Sequence, residues 1–369
     1  MYKIPMPYIR EVWNYYTQYK DIVLSKIREV LSPGFVIEWP KRRKTFKVIV
    51  RDDSCLRVML EWLLEKNNLF CLFGADVEYM LLLIKIVEVF YPDFRETPSN
   101  RKYPNAKRGE CIEDINAVCN YIFVQSIYDG KKKGKSIFQK ADLVKSKDLI
   151  ICPYCGAAEI EQIRREHGNG GIAYTPPIDH YFPKSKYPFL ALEYFNMIPC
   201  CQRCNGLPNK GTFDPYAKDI EKLKLMYPYR FKENAFSFYF EYDGSGQYEK
   251  KNFTAHIDYK GNKHLVSGYT DGIALEDQYI NDIEMKNIWT IVQGHCAKGF
   301  SVLLNSALEI AKSDIEMAFT TADIERYLNG FSCSNLIGYE WSDAESRQQL
   351  KYKFKKDILK QMISLIGPS

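Results

Sequence analysis

The sequence lacks, or is poor in, several features that are typical of common protein classes. It contains no internal repeat and no Gly-x-x-x-x-Gly-Lys-Ser/Thr loop, which excludes ATP hydrolysis through a phosphate-binding loop of that kind. Its most apolar run, residues 80–84, is too short and too closely flanked by charged residues to span a membrane. The formal net charge is only +5, so any attraction to a polyanion must come from local clusters of basic residues.

The chain also begins without the pattern of a secretory signal peptide, so we expect a cytoplasmic protein with no membrane partner. Cysteine, by contrast, is abundant, with 11 residues. Disulfides are rare in a reducing compartment, and metal binding is then the better explanation for paired cysteines. With 369 residues, 46% of them hydrophobic, the chain is long enough for two or three globular domains.

Four of the cysteines form two Cys-x-x-Cys pairs, Cys152 with Cys155 and Cys201 with Cys204. Each short turn points both sulfur atoms to the same side, so the two pairs together predict one structural Zn²⁺ site. Cys200 adjoins Cys201 and is an alternative ligand, but the spacing to Cys204 favours Cys201.

Polar residues with reactive side chains lie between and beside these pairs. Asp179 and His180 are predicted on a short strand, Asn196 on the loop that follows, and Asn205 at the start of the next helix. A histidine titrates near neutral pH and can take a proton from water. A carboxylate and an amide oxygen suit a hard divalent ion, Mg²⁺ or Mn²⁺.

The pattern C-P-Y-C-G, I-D-H-Y-F-P-K-S and P-C-C-Q-R-C-N resembles the zinc-containing HNH endonucleases, which have the ββα-metal fold. The resemblance implies that His180 is the general base, that Asp179 and Asn205 bind the catalytic ion, and that Asn196 orients the loop carrying the base. It covers about the middle sixth of the chain, and Tyr187-Pro188-Phe189 replaces the Gly-Gly that often follows the second motif.

The resemblance also implies a function. HNH nucleases with long flanking arms are similar to effector nucleases of bacterial anti-phage systems, which act on DNA and often work with an ATPase. We therefore expect an endonuclease of this kind, with RNA as an open second substrate. Two alternatives stay open: a standalone restriction or homing-type endonuclease, and a non-catalytic zinc module that binds nucleic acid.

The expected fold class is α+β, with a ββα-metal core, a structural zinc knuckle and mainly helical arms. Expected domains are residues 1–100, 101–215 and 216–369, the first helical with a basic hairpin and the last β-rich and then helical. Apolar periodicity predicts helices over residues 8–31, 54–66, 76–90, 110–128, 275–297, 300–311, 314–328 and 344–366. Alternation predicts strands over residues 35–37, 46–50, 236–242 and 255–259.

Basic residues concentrate just before the first cysteine pair. Lysines occupy positions 131–133, 135, 140, 145 and 147, and we expect this tract to contact a nucleic-acid backbone. A second basic loop, residues 40–44, lies on the predicted hairpin, where it is equally well explained as a solvated turn. The Gly-rich insert, residues 159–177, predicts either a hairpin or a helix and strand.

Overall fold

The structure is a computed structural model that describes residues 3–39, 46–65, 67–96, 111–160, 163–164, 172–206, 209–242, 253–280, 353 and 357. Within these residues the fold is α+β, with helices and small sheets. Contacts divide the chain into a larger unit, Ile4–Leu149 with Ile160–Arg230, and a smaller unit, Met1–Lys3, Ile150–Glu159 and Phe231–Ser369. The division into three domains stays a prediction. No described helix is both long and apolar enough to cross a membrane.

The larger unit begins with three helices that match the predicted ones to within two residues: α1 (Ile9–Leu31), α2 (Cys55–Leu64) and α3 (Val77–Phe90). Side-chain caps fix two of the starts. The Ser54 hydroxyl accepts a hydrogen bond from the backbone N–H of Arg57, and the Asp76 carboxylate accepts from the N–H groups of Glu78 and Tyr79. These caps satisfy donors that have no partner within the helix.

An aromatic stripe on α1, formed by Tyr15, Tyr16 and Tyr19, faces the core. Tyr15, Tyr16 and Tyr19 are buried, and their rings pack against Phe73 and Phe138 at centroid distances of 5.4–6.4 Å. Such edge-on and tilted contacts add to the burial of apolar area. The stripe therefore contributes to packing, which leaves no need for a base-stacking role.

The first sheet contains β1 (Ile37–Trp39), β2 (Phe46–Val48) and β3 (Cys111–Ile112). β1 and β2 pair antiparallel, as the predicted hairpin requires, while its basic loop, residues 40–44, lies outside the described residues. β3 joins β2 in parallel.

The helix predicted over residues 110–128 needs correction at both ends. Cys111 and Ile112 extend the sheet, and the α-helix α4 (Ile115–Cys119) begins only where the Asp114 carboxylate accepts the N–H of Ala117. From Asn120 the chain changes to a π-helix, Asn120–Tyr128, whose hydrogen bonds span five residues. Apolar periodicity predicts helix here but does not distinguish the two hydrogen-bonding patterns.

The basic tract divides into an exposed part and a buried end. Lys131, Lys132 and Lys135 are exposed on a two-stranded hairpin, β4 (Lys131–Lys132) and β5 (Lys135–Ser136). The helix α5 (Lys140–Lys147) follows and ends in Lys147, which is 6% exposed. Lys147 therefore cannot contact a nucleic acid, contrary to the expectation for the whole tract.

Two further strand pairs complete the larger unit. The Gly-rich insert forms the predicted hairpin, β6 (Ile163–Arg164) and β7 (Ile172–Tyr174). Next, β8 (Ile178–His180) pairs antiparallel with β9 (Met197–Pro199), and the short helix α6 (Gln202–Asn205) follows. The register places Asp179 opposite Ile198 and His180 opposite Met197.

The smaller unit contains the predicted strand pair, β10 (Ser237–Tyr242) and β11 (Phe253–Asp258), followed by α7 (Leu275–Ile280). Phe236 and Phe238 pack against the rings of Tyr269 and Tyr279. Of the helices predicted after residue 275, only the first turns lie within the described residues; the remainder of 275–297, and 300–311 and 314–328, lie outside them. In residues 344–366, positions 353 and 357 alone are described.

Candidate metal centre and catalytic site

The first cysteine pair lies on a tight turn of the smaller unit. Residues Ile151 and Glu159 form an antiparallel bridge, and inside it the N–H of Gly156 donates to the carbonyl of Cys152 at 2.8 Å. Gly156 has φ of +67°, a left-handed conformation that glycine adopts without steric cost. The N–H of Ala157 also points at the Sγ of Cys155, at 3.4 Å.

The second pair stands directly after β9. The Sγ of Cys201 accepts the N–H of Cys204 at 3.4 Å, so the thiol caps the start of α6. Backbone N–H groups directed at sulfur favour the thiolate form that binds metal.

The four sulfur atoms of Cys152, Cys155, Cys201 and Cys204 lie within 4.8 Å of one another, and all four residues are buried. A tetrahedral site with Zn–S bonds of about 2.3 Å requires sulfur atoms roughly 3.8 Å apart, so the cluster fits zinc after a small contraction. Cys200 is not part of this group: its backbone N–H bonds Pro177, and burial raises the pKa of its thiol well above the usual value. The group of close sulfur atoms thus contains Cys201, which the spacing to Cys204 favours, and not Cys200.

Asp179 and His180 lie on a short strand, as predicted, and both are buried, with 3% and 7% of their surface exposed. The Nε2 of His180 lies 2.9 Å from the carbonyl oxygen of Ala191. A carbonyl only accepts, so Nε2 carries the hydrogen and Nδ1 is left as the ring's basic nitrogen. The ring also packs edge-on against Tyr128, with the centroids 4.7 Å apart.

Burial lowers the pKa of His180 to about 3, against the smaller raising effect of the Ala191 carbonyl. Three nearby lysines, Lys184, Lys210 and Lys140, lower it further. The imidazole is therefore neutral at physiological pH, which is the form that can accept a proton.

Asn196 is fully buried, and both the oxygen and the nitrogen of its side-chain amide form hydrogen bonds. Its Oδ1 accepts the N–H of Phe182 at 2.7 Å, and its Nδ2 donates to the carbonyls of Phe182 and Leu190 at 3.1 and 3.0 Å. These bonds tie together the two ends of the loop that contains Ala191, the partner of His180. The position suits the predicted role of orienting that loop.

Asn205 is half-buried and is the last residue of α6, whereas the sequence placed it at the start of a helix. The helix has only four residues, between the N-cap Cys201 and the C-cap Gly206. The chemical roles predicted for Asp179, His180, Asn196 and Asn205 stay predictions.

One residue in this region was missed. Lys210 is 1% exposed, and its Nζ lies 3.0 and 2.9 Å from the two carboxylate oxygens of Asp179. The same nitrogen donates to the carbonyls of His180 and Tyr181 at 2.9 and 3.2 Å. In the sequence Lys210 is only one basic residue among several; its position shortly after Cys204-Asn205 is the available signal.

Other lysines near the site are paired at the surface. Lys184 forms an ion pair with Asp129 at 2.8 Å and lies over the ring of Tyr128. Lys186 is 3.3 Å from Asp214. Surface pairs of this kind exchange readily with other anions because they contribute little to stability.

Comparison with known proteins gives a short match. A stretch of 43 residues, 12% of this chain, is 46% identical to the Septu protein PtuB of Bacillus thuringiensis. The match covers 16% of that protein's length. No protein-family description and no solved structure matches the chain. The likeness is thus to a small part of PtuB.

Proposed function

We propose that the protein is a metal-dependent HNH endonuclease that hydrolyses phosphodiester bonds in DNA. In this proposal His180 is the general base, Asp179 and Asn205 hold the catalytic divalent ion, and Asn196 keeps the loop of the base in place. The four-cysteine site is structural and holds zinc.

The neutral, oriented side chain of His180 carries this proposal. Its Nε2 is engaged by Ala191, so Nδ1 is available to a water molecule, and the Asp179 carboxylate is next to it on the strand. The order of β8, β9 and α6 provides two strands and a helix that end in the cysteine pair and Asn205. A non-catalytic zinc module would require the four cysteines, but it would not require the oriented His180, the neighbouring Asp179 or Asn205.

The residues can perform the proton transfer of hydrolysis. Nδ1 of His180 would accept a proton as the water oxygen forms a bond to phosphorus, and the bond from phosphorus to the leaving sugar oxygen breaks. A divalent ion, when bound, would stabilise the negative charge on the phosphorane and the leaving oxygen. The donor set fits such an ion, because a carboxylate and an amide supply hard oxygen atoms.

The basic hairpin β4–β5 supports a polyanionic substrate. Lys131, Lys132 and Lys135 are exposed on it. Tyr128, which contacts His180, lies three residues before Lys131 in the sequence. Phosphate contacts by such lysines position a nucleic acid without reading its sequence.

The biological role we propose is anti-phage defence, with an ATPase as partner. The partial likeness to a Septu protein supports a defence role, and it favours this over a restriction or homing-type enzyme. Because the chain has no phosphate-binding loop of the Gly-x-x-x-x-Gly-Lys type, energy from ATP would have to come from that partner. Co-expression with candidate ATPases from the same genome, followed by purification, tests this part separately.

The activity is tested with zinc-loaded protein and supercoiled plasmid. We expect nicking or linearisation with Mg²⁺ or Mn²⁺ and none with EDTA, and we expect Asp179→Asn to lose cleavage while it retains zinc. Protein that binds DNA with full zinc content but never cleaves it, with any divalent ion or partner, would instead be a non-catalytic zinc module.

A further inference from the structure

The ammonium group of Lys210 has its three hydrogens matched by three acceptors. They are the carboxylate of Asp179 and the backbone carbonyls of His180 and Tyr181, at 2.9–3.2 Å. A lysine has no further donor, so this group is fully satisfied without water. Such a site is built for a cation, and Lys210 occupies it.

Asp179 is also the residue that we propose as a ligand of the divalent ion. Both of its oxygen atoms lie within 3.0 Å of the Lys210 nitrogen. An ion bound to either oxygen at about 2.1 Å would therefore lie no more than about 5 Å from that nitrogen. The ion then either shares the carboxylate with a like charge or displaces the lysine.

We propose that Lys210 is the counter-ion of Asp179 in the ion-free protein and competes with the divalent ion for this carboxylate. The proposal rests on the proposed function in taking Asp179 as the ion's ligand. Either outcome weakens ion binding. If the ion shares the carboxylate with Lys210, the two positive charges repel each other. If the ion displaces Lys210, the ammonium group loses three hydrogen bonds. Lys210 would thus set the concentration of divalent ion at which the site fills.

The size of the effect follows from Coulomb's law. Charges of +1 and +2 about 5 Å apart repel by more than about 1.4 kcal/mol even with the dielectric constant of water, and 1.4 kcal/mol corresponds to a tenfold change in affinity. Replacing Lys210 with a neutral residue should therefore lower the dissociation constant for the ion at least tenfold.

The experiment measures Mn²⁺ binding directly, by the loss of the electron paramagnetic resonance signal of free Mn²⁺ on titration of the full-length, zinc-loaded protein. The variants are Lys210→Met, which keeps an unbranched chain as far as the ε position and lacks the ammonium group, and Lys210→Gln, which keeps two N–H donors if the methionine variant fails to fold. Lys184→Met is the matched control, because it removes one positive charge near His180 that pairs with Asp129 instead. Asp179→Asn identifies the site.

Tenfold tighter Mn²⁺ binding in either Lys210 variant, with Lys184→Met unchanged and Asp179→Asn weakened, would support the proposal. Equal or weaker binding in the Lys210 variants would overturn it, even if the wild type cleaves DNA, and would leave the proposed function standing. No Mn²⁺ binding by any variant, together with no cleavage, would overturn both.

Discussion

Among the described residues of the larger unit, the buried lysines are Lys147 and Lys210, and their surroundings differ. Lys210 forms an ion pair with Asp179, while Lys147 donates to the carbonyl of Tyr194 and the hydroxyl of Tyr229 and lies 3.5 Å from the centroid of the Tyr194 ring. Burial lowers the pKa of Lys147 well below its usual value. Glu193, also buried, has its pKa raised by burial although it accepts the N–H groups of Ala75 and Phe195.

The difference separates a lysine enclosed by aromatic rings from one paired with a carboxylate. Around Lys147, burial favours the neutral forms of both Lys147 and Glu193, and aromatic rings surround Lys147. These surroundings do not favour the binding of a charged ligand. Around Lys210 a carboxylate and a cation are paired beside a neutral histidine, and such a pair can exchange one cation for another. Burial alone does not distinguish the two lysines; their partners do.

The largest expected effect is the loss of the structural zinc ion that we propose at the four cysteines. Cys201→Ser should lose zinc and with it much of the stability, because a four-thiolate site contributes on the order of 10 kcal/mol of apparent folding free energy in small zinc modules. Elemental analysis and thermal unfolding measure both. Cys200→Ser, the adjacent buried thiol, is the control and should keep its zinc; the reverse result would place the ligand at Cys200.

Next in size is the loss of the base. His180→Ala should reduce plasmid cleavage by about 10²–10⁴-fold, roughly 3–5 kcal/mol of barrier, because no other group takes the proton. Stability should also fall, by about 2–4 kcal/mol, because the lost ring leaves a cavity beside Tyr128 and the Ala191 carbonyl loses its partner. Single-turnover cleavage and urea unfolding separate the two effects. His264→Ala controls for histidine removal, and turnover near the wild-type rate in His180→Ala would exclude this residue as the base.

Asn196→Ala should destabilise the protein by about 2–4 kcal/mol, because it leaves three buried backbone groups of Phe182 and Leu190 without their partner. Asn209→Ala, which removes one exposed hydrogen bond to Arg203, should change stability by less than about 1 kcal/mol. Urea unfolding compares them. Equal effects at the two positions would mean that Asn196 does not hold the loop.

The smallest effect is a change in pH dependence at Lys147. The raised pKa of Glu193 means that its contribution to stability is present below the unfolded pKa of about 4.3 and is lost as pH rises through the folded value. The lowered pKa of Lys147 acts in the opposite sense, since the unfolded chain binds a proton below about 10.4 that the folded chain does not bind. The two slopes therefore have opposite signs.

In Lys147→Met only the Glu193 slope remains. Stability should therefore fall as pH rises above the unfolded pKa of about 4.3, by up to about 1.4 kcal/mol per pH unit for one unmatched proton. Urea midpoints at four pH values measure this slope. Lys184→Met should keep the wild-type profile, and a Lys147→Met profile parallel to the wild type would show that the two groups are not opposed.

The parts of the structure that the sequence predicted are those with a local signature. Periodicity together with caps such as Ser54 and Asp76 predicts α2 and α3 closely, because the signals lie within the elements themselves. The cysteine pairs predict their own cluster, since thiolates at this spacing have few other uses. Asp179-His180 is predicted on a strand for the same local reason.

The rest depends on contacts between distant residues. Lys210 meets Asp179 across 31 positions, and Lys147 meets Tyr194 across 47, and a lysine in the sequence looks the same in both cases. The partner of His180 is the backbone carbonyl of Ala191, which every residue type possesses. Only the folded loop brings that carbonyl to His180, so composition and residue spacing cannot predict this contact.

The π-helix Asn120–Tyr128 has a consequence for how this chain tolerates insertions and deletions. A π-turn contains one more residue than an α-turn, so a π-helix behaves like an α-helix that has absorbed an insertion. Tyr128, its last residue, contacts His180. Deleting a single residue within it would remove that extra residue and let the segment close to an α-helix, with the residues on either side keeping their directions. We therefore expect a one-residue deletion in this segment to be tolerated better than one inside α1 or α3, where each residue turns the rest of the helix by about 100°.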